Sequence, residues 1–310
     1  MLKLGMKKFD DMFITAKGEQ RAFVSLKELK TLWFNTGTLC NLACENCYIE
    51  SSPKNDRLVY LNVEDIRPYL EEIQSDKLPT EMIGLTGGEP FLNPHIIPIL
   101  DLIMSYGLEV LVLTNANRVL KRHHQSLLDL NKKYPALLHL RVSLDHHTQS
   151  VHDQERGSGA FEKTMQELQW LDQNNFDLSI ASRSLTGETQ ADSIKGHKEL
   201  LNQCGINIDL DNKLVVFPEM KSERDLPEIT TQCWGILNKN PDDQMCASER
   251  MIVKRKGEDK AVVMPCTLLA YDDQFVLGES LKDAKKDVYL NHRFCAEFCV
   301  LGGASCSSTK

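Results

Sequence analysis

The sequence predicts an α/β fold: a parallel sheet or barrel of βα units, followed by a small loop-rich, cysteine-rich C-terminal extension. Three observations carry this. Six short apolar runs recur between residues 31 and 217, amphipathic stretches separate them, and beyond residue 240 the periodicity gives way to turns and cysteines. Runs of four to seven residues rich in Val, Ile or Leu have the length of buried strands. Their alternation with helical patterns implies parallel pairing through crossover helices.

The runs are Thr31–Phe34, Met82–Leu85, Glu109–Leu113, Leu138–Leu144, Leu178–Ala181 and Leu214–Phe217. Val63–Ile73 follows Asn62, a residue that favours the N-cap position, and reads as a helix. A second helix is expected over Pro94–Ser105, with its proline in the first turn, and a third over Phe161–Leu171, whose apolar residues share one face. Residues 1–30 form a lead-in with short strands at most, 31–217 the core, 218–240 a connection and 241–310 the extension. The connection carries Pro218 and Pro227 and a short helix near Thr230–Leu237. In the extension, Met251–Val253 and Ala261–Met264 are expected to form a small hairpin about the Gly257 turn.

Composition excludes several classes of function. With 310 residues, 42% hydrophobic and 26% charged, the chain can bury a sizeable core and is not a disordered polymer. The longest apolar runs, such as Ile96–Met104 with its Pro98 and Asp101, fall far short of the ~20 residues a bilayer span requires. No membrane segment is expected. A net charge of −8 disfavours a broad nucleic-acid surface, and the Lys254-Arg255-Lys256 run reads as a solvated turn. Met1–Asp10 lacks the apolar centre of a signal peptide, which points to a cytoplasmic protein.

Ten cysteines without an export signal point to metal or redox chemistry rather than to disulfides. Cys40, Cys44 and Cys47 stand in the loop after the first run, spaced so that three thiolates can converge on one metal centre. Three thiolates on a four-iron cluster leave one iron open to a substrate or cofactor. A zinc ion completed by His95 or His152 is the other reading of the same spacing. The second run ends in Thr86-Gly87-Gly88-Glu89-Pro90, where paired glycines let the backbone approach a ligand closely. Cys246, Cys266, Cys295, Cys299 and Cys306 offer five thiols late in the chain, of which a four-iron cluster needs four; a structural zinc is again the alternative. Cys204 and Cys233 sit in helical context and read as core residues.

The three-cysteine loop together with Gly87–Pro90 resembles the radical S-adenosylmethionine superfamily, over about residues 31–217. Thr114-Asn115-Ala116-Asn117 is similar to that family's T-N-G-T segment, with Ala116 in place of glycine. Ser143-Leu144-Asp145 is similar to its S-L-D segment, and His152-Asp153 with Arg156–Phe161 to the H-D-x-x-R-G-x-G-x-F stretch that follows. The resemblance implies a partial (β/α)6 TIM-like barrel, a [4Fe-4S] cluster on Cys40, Cys44 and Cys47, and S-adenosylmethionine held by Gly87, Gly88, Glu89, Pro90, Asn115, Ser143 and Arg183. His152 is expected to be structural. The implied activity is reductive cleavage of S-adenosylmethionine to a radical that takes a hydrogen from a peptide or small metabolite, leading to oxidation, cross-linking or epimerisation. An external one-electron donor such as flavodoxin or ferredoxin is implied with it.

The stretch Cys246–Cys306 resembles the SPASM/Twitch extensions of the same superfamily, which hold auxiliary iron–sulfur clusters, although eight residues separate Gly257 from Cys266, more than that pattern has. It implies a second [4Fe-4S] cluster on four of the five thiols. Cys246, Cys266, Cys299 and Cys306 are favoured, with Cys295 as the alternate ligand or a hydrogen donor. No other catalytic residue is assigned. Two competing readings stand beside this one: a non-enzymatic iron–sulfur or zinc protein on a barrel scaffold, for binding or electron transfer, and an RNA-modifying member of the superfamily.

Overall fold

The computed structural model describes residues 7–220 and 224–306. The first six residues of the lead-in, three of the connection and the last four of the extension lie outside the described residues. The strands are β1 (Phe23–Val24), β2 (Thr31–Asn35), β3 (Met82–Thr86), β4 (Glu109–Thr114), β5 (Leu138–Ser143), β6 (Asp177–Arg183), β7 (Leu214–Phe217), β8 (Glu249–Val253), β9 (Val262–Met264) and β10 (Val288–Tyr289). All six apolar runs are strands, and β2 to β7 lie side by side in chain order, every neighbour parallel. The sheet is open, with β7 at one edge and β9 at the other.

Helices α1 (Val63–Ser75), α2 (Ile96–Ser105), α3 (His124–Lys133), α4 (Gln149–Arg156), α5 (Ala160–Gln173) and α6 (Gln190–Gln203) occupy the crossovers. Asn62 caps α1 as its position predicts: its side chain accepts from Asp65 N–H at 3.0 Å, and Asp65 returns the bond to Asn62 N–H at 3.0 Å. The second helix starts at Ile96 rather than Pro94, because Pro90–Leu92 forms a 3-10 turn and Asn93 accepts from His95 N–H at 2.8 Å, holding the chain extended ahead of the helix. The short helix of the connection spans Cys233–Ile236. No described helix is long and apolar enough to cross a membrane.

Alternation along the strands sorts side chains between two cores. Leu32, Phe34, Val110 and Val112 face the helical layer with Ile66, Leu70, Ile99 and Leu168. Trp33, Leu111, Met251 and Met264 face the opposite way and pack against Cys246, Cys266, Leu268 and Phe298 of the C-terminal region. The extension is therefore packed on the inner face of the sheet.

This explains where the expected hairpin goes. β8 and β9 do pair antiparallel, Met251 opposite Met264, but β8 also pairs in parallel with β2, Phe34 opposite Ile252. Every residue of β8 is buried, and β2 would otherwise present an unpaired edge, so the hairpin extends the main sheet instead of standing within the extension. The lead-in is likewise built into the fold. β1 pairs with β10, and the buried Arg21 meets Glu228 at 2.6 Å.

The loop after β2 is laid across the end of β3. Gly88 N–H donates to Gly37 O at 2.8 Å and Glu89 N–H to Leu39 O at 3.2 Å. A Cβ on Gly88 would stand 2.2 Å from Leu39 O, and one on Gly87, whose φ is +133°, 2.4 Å from Gly37 O. The glycines are required first by the chain's own backbone.

Gly88→Ala is expected to lift this loop, since the clashing atom is backbone and cannot swing away. Unfolding free energy should fall by about 1–3 kcal/mol, and the buried Cys40 should react faster with a thiol reagent. Asn62→Ala should cost about 1 kcal/mol in denaturant melts and leave Cys40 labelling unchanged.

Candidate active site

The C-terminal ends of β2 to β6 open onto one cavity of about 180 Å³. It is lined by Cys40, Cys44 and Cys47 after β2, Gly87 and Gly88 after β3, Asn115 after β4, Ser143 and Asp145 at β5, and Arg183 at β6. This is the end at which parallel βα architectures build their sites, because the loops there are free of the sheet's packing demands.

The three thiols sit among donors. Cys40 Sγ accepts from Leu42 N–H at 3.4 Å and from Asn115 Nδ2 at 3.6 Å, and Cys47 Sγ accepts from Ser51 N–H at 3.3 Å. Burial pushes the Cys40 thiol up to about 12 and raises that of Cys44 as well. Neither becomes a thiolate at neutral pH unless a metal supplies the compensating charge. Tetrahedral zinc would bring its sulfurs to about 3.8 Å from one another. Among the described residues, the one group with three ligand atoms mutually within 4.8 Å contains no cysteine. The wider triangle suits a cluster, in which each cysteine holds a different iron. Neither His95 nor His152, the two fourth ligands considered for zinc, lines the cavity.

Two buried ion pairs frame the thiols. Arg156 Nε and Nη2 meet the two oxygens of Asp145 at 2.6 and 2.8 Å. Burial alone would raise the Asp145 carboxyl, but the Arg156 guanidinium overrides it and holds that carboxyl below its usual range. Glu155 accepts from Arg183 Nη1 at 2.7 Å and from Asn46 N–H and Nδ2 at 2.9 and 2.7 Å, clamping the cysteine loop to α4 and β6. Arg183 thus lines the cavity as expected, with its charge shared with Glu155. Asp153 caps α5 through Gly159 and Phe161 N–H at 2.9 and 2.8 Å, and His152 is buried against Phe161.

The Gly87–Pro90 motif divides. Gly87 and Gly88 line the cavity; Glu89 and Pro90 do not. The Glu89 carboxylate, 2% exposed, accepts from Thr114 Oγ1 at 2.9 Å, Asn115 N–H at 2.8 Å and Phe91 N–H at 3.1 Å. Burial raises it to about 7 against the pull of those donors. Glu89 ties the end of β3 to that of β4, and acts on the cavity through the position of Asn115. Glu89, expected among the residues that hold S-adenosylmethionine, has its carboxylate engaged with β4 and with Phe91 N–H.

The second cysteine group also differs from expectation. Cys246, Cys266, Cys295 and Cys299 line a separate small apolar cavity of about 20 Å³ with Leu268, Leu269 and Leu290. Cys306, favoured as a ligand, instead lines the main cavity, where its Sγ accepts from Thr267 Oγ1 at 3.0 Å and its carbonyl from Arg141 Nη1 at 2.6 Å. Cys295, the expected alternate, is one of the four. Cys295 and Cys299 stand four residues apart in the π-helical segment Cys295–Leu301 and both line the small cavity, and the chain turns at Gly302-Gly303 before Cys306. Burial pushes Cys246 up to about 11 and Cys295 up to about 12, so this site too demands a cation before it holds thiolates. Cys204 and Cys233 are half-buried against the two cores.

Sequence reasoning assigned no role to Asp145, Glu155, Arg156 or Arg141. Asp145 and Arg156 stand inside recognisable motifs and could have been paired from them. Glu155 and Arg141 carry no sequence signal, since each matters only through a tertiary partner.

Residues 34–199, more than half of the chain, match the sequence model of the Radical SAM superfamily. The chain is 32% identical over 143 residues to the antilisterial bacteriocin subtilosin biosynthesis protein AlbA of Bacillus subtilis, covering 46% of this chain and 30% of AlbA. It is 30% identical over 134 residues to the mycofactocin maturase MftC of Mycobacterium tuberculosis, covering 43% and 32%. It spans about a third of the length of these curated relatives. Its fold is similar to that of Streptococcus suis SuiB bound to S-adenosylmethionine, with a TM-score of 0.60 at 13% identity over 89% of this chain and 67% of SuiB. With the three-cysteine loop at the head of a parallel sheet and the family match spanning its first five strand ends, the chain belongs to the radical S-adenosylmethionine superfamily.

Proposed function

We propose that the chain is a radical S-adenosylmethionine enzyme acting on a peptide, with one four-iron cluster on Cys40, Cys44 and Cys47 and a second on Cys246, Cys266, Cys295 and Cys299. The observation that carries this is the grouping of the thiols. Cys40, Cys44 and Cys47 share one loop at the main cavity and would leave one iron of a cluster open for S-adenosylmethionine, Cys306 reaches the same cavity from the C-terminal region, and the four thiols of the small cavity would complete a second cluster. When bound and reduced by one electron, the first cluster and S-adenosylmethionine supply a 5′-deoxyadenosyl radical that removes a hydrogen atom from the substrate.

The chain's own residues orient and enclose. Gly87 and Gly88 leave room beside the thiols for the methionine moiety, Asn115 and Ser143 offer polar atoms, and Arg156 and Arg183 set positive charge near its carboxylate. Leu113, Phe217, Leu268 and Phe298 form apolar wall that keeps water from a reactive intermediate. Cys306, which lines the same cavity, takes the hydrogen-donor role that the sequence offered to Cys295. A peptide substrate is supported by the likeness to AlbA, a bacteriocin biosynthesis protein, and to SuiB bound to precursor peptide SuiA. A flavodoxin- or ferredoxin-like electron donor and a cytoplasmic location belong to the same reading.

After anaerobic reconstitution with iron and sulfide, reductant and S-adenosylmethionine should yield 5′-deoxyadenosine from the wild type and none from the Cys40/Cys44/Cys47→Ala variant. A fully loaded wild type that stays silent with and without candidate precursor peptides would overturn the enzymatic reading. Iron should amount to about eight per chain in the wild type and about four in Cys295→Ser, and remain near eight in Cys306→Ser. Equal loss in the last two variants would return Cys306 to the cluster.

A further inference from the structure

Away from both cysteine sites, His146, His147 and Glu188 are the one group among the described residues whose ligand atoms, one from each, all lie within 4.8 Å of one another. The histidines stand between β5 and α4, and Glu188 stands between β6 and α6. His146 is 4% exposed, and its Nε2 lies 3.3 Å from Glu188 Oε2. His147 Nδ1 and Glu188 Oε1 are buried without a hydrogen-bond partner, and His146 Nε2 meets only Glu188 Oε2. Buried polar atoms are rarely left so, and two beside a buried imidazole–carboxylate pair call for a shared partner that accepts electron pairs.

The surroundings are shaped around these rings. His147 lies flat against α6 at Gly196, where a Cβ would stand 2.5 Å from the ring, and it stacks on His146 with centroids 4.2 Å apart. Thr189 caps α6 in a reciprocal bond with Asp192, which fixes Glu188 immediately ahead of the helix. The neighbouring His197 is already committed, with Nδ1 2.8 Å from Ser193 O and Nε2 3.2 Å from Leu144 O. It forms wall rather than ligand.

We propose that His146, His147 and Glu188 bind one divalent transition-metal cation, zinc by preference, with two imidazoles and a carboxylate as ligands. This donor set suits zinc, with water in the fourth position. His146 Nδ1 now accepts from Thr148 N–H at 2.9 Å, so ligation through Nε2 moves the ring proton to Nδ1 and gives up that bond. The metal joins the loop after β5 to the loop after β6, behind the wall that carries Asp145 and Arg183. It serves as a clasp on that wall and takes no part in electron transfer.

The test uses holoenzyme reconstituted with both clusters, so that the cysteines are occupied, then equilibrated with one equivalent of Zn2+ and desalted. One zinc per chain should be retained, with only nitrogen and oxygen neighbours at about 2.0–2.1 Å in zinc-edge X-ray absorption. Added zinc should raise the thermal midpoint of the wild type. Glu188→Gln and His147→Ala should bind zinc at least about tenfold more weakly and lose the thermal shift, with iron content unchanged. If His147→Ala fails to fold, the near-isosteric Glu188→Gln decides. Zinc not retained, zinc with sulfur neighbours at about 2.3 Å, or retention undiminished in Glu188→Gln would each overturn the proposal.

Discussion

The site depends on a backbone contact more than on any side chain. Leu39 O and Gly37 O lie where Cβ atoms of Gly88 and Gly87 would be, so the cysteine loop can lie over β3 only because β3 ends bare. The same strand is bare further in, where a Cβ on Gly84 would stand 2.2 Å from the Trp33 ring. Trp33 fills that space on the inner face and donates from Nε1 to Glu249 at 2.6 Å, tying β2 to the first residue of β8. Small residues on one strand thus set both the height of the thiols at the mouth and the seat of the C-terminal hairpin within.

The cavity's charges are arranged in pairs that position rather than stabilise. Burying Asp145 with Arg156, or Glu155 with Arg183, desolvates both partners, and the attraction between them is offset largely by that cost. What such pairs do well is fix direction. Glu155 receives Asn46 from the cysteine loop and Arg183 from β6 at once, so the loop and the far wall move as one. Arg156 adds a positive charge near Cys44 and opposes the rise that burial imposes on that thiol. Cluster ligands bring net negative charge into an apolar cavity, and a guanidinium held by Asp145 is placed to balance it.

The six strands and the three-cysteine loop were legible because their signals are local: apolar runs of strand length, and ligands within eight residues of chain. Motif order carried the family for the same reason. What was not legible depends on pairing across the chain. β8 reads as half of a hairpin, and nothing within Glu249–Val253 announces that its other edge belongs to β2. Glu89 follows two cavity-lining glycines in sequence, yet its carboxylate is bonded to Thr114 and Asn115 at the end of β4. Among the five late cysteines, spacing treats Cys295 and Cys306 alike, while the fold sets them on different cavities.

That separation changes what the C-terminal region is. It was expected as an appendage beginning near residue 241, but its strands continue the sheet, its apolar residues cover the sheet's inner face, and Arg141 from β5 holds the carbonyl of Cys306. Leu268 borders both cavities, so apolar wall divides the main chamber, with Cys40, Cys44, Cys47 and Cys306, from the small one with the other four thiols. A region joined to the barrel by a strand, a core and a buried guanidinium cannot swing away without uncovering Trp33 and Leu111 to water. The floor of the chamber is therefore fixed, and freedom to move falls to the loops at its mouth.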